Sequence, residues 1–321
     1  MRASLSAIAV LSLIATPAVA ADIADMRPPP DQPPQSQESP LRFEAGLRYW
    51  LSWGRQEAGF AVPNLGDVTL NSDDTTHIVE AYGRVDDLYT STFLKGQAGI
   101  GLATTGTYDI APAGSGSIGT GSRIGYAGID YGWMPLGQMD GPAALGGFVG
   151  YTYWKDAPDI GTGQVAATFG PGGAPTSFSA AQDDFDIHAL RIGLRGTADM
   201  GAFDIQGEVA AVPYAHVSGA LGGSSPNGFV FPALPGVPVY ENQQTKLSGW
   251  GYGVMTEAML GFHPTDNLTV RVGGRAWYLQ GKLDAVFNGT AGGTNQPSMD
   301  LTSTFASIFR YGALVEVSGR F

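Results

Sequence analysis

Asp184, Asp186 and His188 alternate along the chain, so in an extended segment all three share one face. A carboxylate two residues from a histidine can orient the imidazole as a general base. Asp73 and Asp74 offer a second acidic group, although adjacent residues of a strand point opposite ways. Leu190, Ile192 and Leu194 continue the parity of Asp186 and His188, so an unbroken strand would turn that couple outward. The other histidines are His77, His216 and His263, and none stands in a metal motif such as HExxH. His263 falls in a short expected turn, where solvent surrounds it, and His216 is read at the outer end of an inward stripe. No GxSxG elbow or phosphate-cradling loop occurs. The absence of cysteine excludes disulfides, thiolate zinc sites and cysteine nucleophiles. Neither a metal nor a cofactor is expected.

The elements that carry these residues announce themselves by a period of two. Leu41, Phe43, Ala45, Leu47, Tyr49, Leu51 and Trp53 fall on one face of the first segment, and Arg42, Glu44, Gly46, Arg48, Trp50 and Ser52 on the other. About ten such segments recur, near 41–54, 76–86, 91–103, 122–134, 143–155, 184–196, 203–217, 249–262, 268–281 and 304–321. No helical segment intervenes to cover the apolar faces. An all-β, antiparallel, up-and-down transmembrane barrel of about ten strands resolves this, with the apolar face toward lipid. Connections near 87–90, 135–142, 197–202 and 263–267 are short. Those near 55–75, 104–121, 156–183, 218–248 and 282–303 are long and rich in Gly, Pro, Thr and Asn, the pattern of short periplasmic turns and long extracellular loops. Tyr49, Trp53, Tyr131, Trp133, Trp250, Tyr252, Tyr278 and Phe309 suit belts at the two lipid interfaces. In the last segment Phe305, Phe309, Tyr311, Ala313, Val315, Val317 and Phe321 share a face. Ending on Phe321, this stripe is similar to the signal read by outer-membrane assembly machinery.

Carrying the alternation through each segment assigns an interior. It holds Arg42, Glu44 and Arg48; Glu80, Tyr82, Arg84 and Asp86; Lys95 and Gln97; Asp130; Glu208, Tyr214 and His216; Glu257; Arg271 and Arg275; and Arg310, Glu316 and Arg320. A barrel of about ten strands has a lumen that side chains can largely fill. An isolated buried ion costs several kcal/mol, so these charges must pair. The expectation is a salt-bridged interior in the periplasmic half; a narrow ion-conducting pore lined by the same charges is the alternative.

The chain opens as a processing signal. Met1-Arg2 gives a positive start, Leu5 to Ala15 an apolar core too short to span a bilayer, and Ala18-Val19-Ala20 a small-residue cleavage pattern. Residues 1–20 are therefore read as a cleaved signal peptide, 21–40 as a disordered Pro/Gln-rich periplasmic tail, and 41–321 as the barrel. The 321 residues carry a net charge of −12. No basic face is available for phosphates, so nucleic acid is excluded as a partner. The expected partners are outer-membrane lipid and lipopolysaccharide, the β-barrel assembly machinery, periplasmic chaperones, and an extracellular ligand met by the loops.

Several stretches resemble a group of alphaproteobacterial outer-membrane barrel proteins of omptin-like, ten-stranded architecture. They are LRYWLSWG at 47–54, EAYGRVDDLYTSTFLKGQAGIG at 80–101, GIDYGWMPL at 128–136, GGFVGYTYW at 146–154, ALRIGLRG at 189–196, VAAVPYAHVSG at 209–219 and VGGRAWYL at 272–279. The resemblance implies the ten-strand fold and the outer membrane of a Gram-negative bacterium, and no activity. Omptin proteases pair an Asp-His couple with an Asp couple around a water. Asp184, Asp186, His188, Asp73 and Asp74 are similar in type, but omptins space the second couple as Asp-x-Asp on one face. Three readings are open: a non-enzymatic envelope barrel acting through its loops, an omptin-like hydrolase with the couple at the rim, and a narrow porin.

Overall fold

The computed structural model describes residues 40–62, 66–111, 114–159, 162–165, 176–179, 184–221, 245–291 and 294–321. The expected signal segment, and the expected tail except for Pro40, lie outside them. The described residues form twelve strands: β1 Leu41–Val62, β2 Gly66–Asp87, β3 Thr92–Ala111, β4 Gly114–Gly137, β5 Ala143–Asp159, β6 Thr162–Val165, β7 Thr176–Ser179, β8 Asp184–Asp199, β9 Phe203–Leu221, β10 Thr245–Thr265, β11 Leu268–Ala291 and β12 Thr294–Arg320. Ten long strands pair with their chain neighbours in an antiparallel ring, and β12 closes onto β1 from Glu44–Arg320 to Phe60–Ser303. Two further bonds carry the closure to the last residue: Phe43 N to Phe321 O at 3.2 Å, and Phe321 N to Phe43 O at 2.9 Å. Ring closure gives each of the ten long strands a partner on both sides, which is what a strand-built membrane protein requires. The short hairpin β6–β7 stands off the ring, held by Ser115 of β4 opposite Gln164.

One end of the barrel carries the tight connections: 88–91, 138–142, 200–202 and 266–267. Gly201 shows how they close. Its φ is +83°, a region costly for any residue with a Cβ, and its N–H donates to Asp199 Oδ1 at 2.7 Å. In the first turn Asp87 accepts from Tyr89 N at 2.9 Å and from Thr90 Oγ1 at 2.8 Å. These bonds, the Thr90 hydroxyl first, hold the Asp87 carboxyl below its ordinary pKa.

At the other end the strands run further than the period-two pattern indicated. Much of 55–75, 104–121 and 282–303, expected as long loops, is strand: β1 and β2 pair to Val62–Gly66, β3 and β4 to Ile110–Gly114, and β11 and β12 to Ala291–Thr294. The connection near 218–248 falls mostly outside the described residues. The reason for the difference is an inversion of polarity. In the lower wall, Leu47, Tyr49 and Trp53 face outward and Arg48 inward. Higher on the same strand, Arg55 faces outward while Ala58 and Phe60 are buried. On β2, Val68 is buried and Asp73 exposed. Beyond the lipid, water bathes the outside and the apolar residues move to the inside, so the barrel wall continues as a soluble β-structure with its own core.

Candidate functional site

The lumen is built in layers. Nearest the short turns, Arg271 reaches Glu44 at 2.6 Å, Glu316 at 2.5 Å and Asp204 at 3.0 Å. Arg42 and Arg84 share Asp86 at 2.8 and 2.6 Å, and Arg320 meets Glu44 at 3.4 Å. The Tyr82 hydroxyl sits between Glu44 at 2.7 Å and Glu316 at 2.8 Å. Across the barrel Glu208 gathers Lys95 at 3.0 Å, Arg191 at 3.0 Å and Arg195 at 2.9 Å, and Arg191 also reaches Asp130 at 3.2 Å.

The next layer joins the two sides. Arg48 contacts Glu316 at 2.5 Å, Glu80 at 2.9 Å and Glu257 at 3.4 Å. Arg275 contacts Glu257 at 2.5 Å, Glu80 at 2.7 Å and the Tyr126 hydroxyl at 2.7 Å, and Tyr126 donates to Glu80. Trp50, Tyr126 and Trp277 pack edge-on around the Arg275 guanidinium, which lies 5.0 Å from the Trp50 ring centre. Above them Arg310 is clamped by Asp74 at 2.8 Å and Asp156 at 3.0 Å, and Gln56 donates to Asp156 at 2.8 Å. Every arginine and lysine expected inside meets at least one carboxylate, as their burial demands.

Sequence reasoning missed several members. Arg191, Arg195 and Asp204 are buried in the lower network and Asp156 in the upper clamp. A signal existed for the first three, since each has the parity opposite to its lipid-facing neighbours: Arg191 to Ile192, Arg195 to Leu194, and Asp204 to Phe203 and Ile205. Tyr214 and His216, expected inside, face outward. Pro213 has no N–H to give a ladder, and β9 shifts register there against both neighbours, between Leu190 and Ile192 of β8 and between Gly251 and Gly253 of β10. Val212 before the shift and Ala215 after it are both buried, which reverses the parity of the rest of the strand. His263, expected in a solvated turn, belongs to β10. Its Nε2 lies 3.0 Å from Asp204, and its Nδ1 lies 2.9 Å from Thr269 Oγ1.

The chemical candidates do not converge. Asp184, Asp186 and His188 lie on the outer surface of β8, while Asp74 is turned into the lumen from β2 and Asp73 outward. The barrel wall separates Asp74 from the β8 group, and Asp73, though outward, stands on β2 with three strands between it and β8. Each is also otherwise engaged. Lys155 bridges Asp184 at 2.6 Å and Asp186 at 3.0 Å, Arg123 meets Asp184 at 3.2 Å, and Tyr153 donates to Asp186. His188 Nδ1 is held by the Tyr151 hydroxyl at 2.5 Å, and the His188 ring stacks on His216 at 6.5 Å. Asp74 is committed to Arg310 and Thr76. Among the described residues no group of three or more His, Cys, Asp or Glu side chains could hold a metal ion.

A closed antiparallel ring, lipid-facing aromatics such as Tyr131, Trp133, Trp250 and Tyr252, and an ion-paired lumen together define the class of outer-membrane β-barrels. Among solved structures, the outer membrane protease OmpT from Escherichia coli matches with a TM-score of 0.61 at 11% identity, over 87% of this chain and 95% of that one. The likeness extends the barrel assignment to an omptin-like fold and, at that identity, to nothing further. The translocator domain of the autotransporter NalP from Neisseria meningitidis aligns with a TM-score of 0.31 at 13% identity, over 86% of this chain and 88% of that one. The beta domain of the Bordetella autotransporter BrkA aligns with a TM-score of 0.28 at 11% identity, over 86% and 98%. No family model and no curated relative matches the sequence.

Proposed function

We propose that the chain is a non-enzymatic outer-membrane barrel of a Gram-negative bacterium, related to the alphaproteobacterial barrels it resembles. It supports the envelope or meets a ligand, cell or surface through its external hairpins. The observation behind this reading is the lumen, in which guanidinium groups and carboxylates of the described residues engage one another from wall to wall. The hairpins instead project as continuous paired strands beyond the lipid-facing belt. In this reading residues 1–20 are removed as a signal peptide and 21–40 form a periplasmic tail. Periplasmic chaperones and the assembly machinery deliver the chain, reading the stripe that ends on Phe321, and lipid with lipopolysaccharide surrounds the belt.

The separation of Asp74 from Asp186 and His188 argues against hydrolysis at the rim. Purified barrel in detergent with lipopolysaccharide, incubated with a peptide library, is expected to release no fragments above the rate of a heat-denatured control. Cleavage by the native barrel that disappears in His188→Ala would overturn the non-enzymatic reading.

A further inference from the structure

Above the Trp50–Trp277 layer the lumen holds a cavity of about 70 Å³. It exists because one row of cross-strand partners lacks bulk. Ala215 pairs with Gly251, Gly251 with Gly281, Gly281 with Ala306, and Ala306 with Ala58. Five adjacent strands thus bring small residues to the same inward arc, where a ten-strand barrel needs large ones to fill it. Phe185, Leu279 and Leu283 close other sides of the space. A row of small residues alone would be no more than a packing choice.

Ser72 makes it more. It is 3% exposed and lines the cavity, and its hydroxyl has no hydrogen-bond partner. A buried, unmade hydroxyl bond costs about 1–3 kcal/mol, so a cavity guest with a matching group gains by supplying it. The charges nearby set the guest's own charge. Beneath, Asp74 and Asp156 both bind Arg310, and Gln56 is turned onto Asp156, so these groups are directed at one another and not at the cavity. Of the two charged residues in the lining, Glu57 is engaged by Arg55 at 2.7 Å, and Lys282 carries the opposite sign at an exposed position. The lining surface of the described residues is otherwise mostly apolar, which favours a neutral guest.

We infer that this cavity is a binding site for a small neutral amphiphile: an apolar body of roughly one aromatic ring, seated on the Ala215–Ala58 row, with one hydroxyl or carbonyl meeting Ser72. A space whose lining surface is this largely apolar favours apolar guests. The site lies on the lumen side, apart from the hairpin surface on which the proposed function rests, and either can fail without the other.

The test is ¹⁹F NMR titration of the folded barrel in detergent with 4-fluorophenol and with fluorobenzene, against the same detergent without protein. Saturable one-site binding of both probes is expected. Ala306→Leu, which fills the row, is expected to weaken both at least tenfold, and Ala215→Val on another strand is expected to do the same should the first variant fail to fold. Ser72→Ala removes a hydroxyl that no protein group engages, so the fold is retained. It is expected to weaken 4-fluorophenol about fivefold and to leave fluorobenzene unchanged. Non-saturable uptake equal to that of protein-free detergent, or binding untouched by both filling variants, would overturn the site. Equal loss of both probes in Ser72→Ala would overturn the role given to its hydroxyl.

Discussion

Glu316 has no exposed surface, and it faces Arg48, Arg271 and the Tyr82 hydroxyl together. Its removal leaves two buried guanidinium groups sharing fewer anions. Glu316→Leu is therefore expected to cost about 3–5 kcal/mol, read as the shift in urea unfolding followed by tryptophan emission in lipid vesicles. A loss below about 1 kcal/mol, the value of a surface pair, would mean that solvent reaches this layer. His188 makes the contrasting case. It lies outside and holds Tyr151, so replacing it is expected to leave unfolding nearly unchanged. Most network residues were legible singly, because a charged residue between two lipid-facing ones has one direction to point. Their partnerships were not, because Arg271 and Glu44 are joined by ring closure rather than by spacing.

Within each strand, parity is the information, and two events corrupt it. One is the register shift at Pro213, which carried Tyr214 and His216 to the lipid side while the sequence pattern ran on unbroken. A nitroxide at Tyr214→Cys is expected to be broadened by dissolved oxygen, which concentrates in the bilayer, and one at Ala215→Cys protected. The reverse order would remove the bulge. The other is the change of solvent along β1 and β2, where the apolar stripe passes from the outer face at Trp53 to the inner face at Ala58 and Phe60. Counting a single stripe loses the signal there and yields a loop, although the backbone continues to pair. Within the lipid the stripe is strict. Val149 is 49% exposed on β5, between Tyr151 and Leu145, and Val149→Arg is expected to destabilise the barrel by about 2–4 kcal/mol in vesicle unfolding. A change near zero would place that position outside the hydrocarbon.

For the barrel as a whole, the consequence is a ring of strands whose described interior is filled twice by different means. Below, the wall is apolar outside and the lumen is packed with paired charges. Above, the wall is polar outside and the lumen is lined with apolar side chains, from Ala58 and Leu279 to Phe60 and Leu301. A polar cavity of about 140 Å³ lies at the short-turn end, lined by Arg42, Glu44, Arg84 and Asp204, with the salt-bridge lattice and the apolar chamber above it among the described residues; no ion path is expected through them. The ten-strand count, the lipid-facing stripe and the short-turn end could all be read in the sequence. The apolar upper core could not, because its residues lie in the segments where the alternation changes face. The most direct test is single-channel recording with the purified barrel in a planar bilayer at molar potassium chloride. The expected trace is flat at the level of the protein-free membrane over the applied voltage range. Discrete, repeatable conductance steps would contradict a closed lumen and restore the narrow porin.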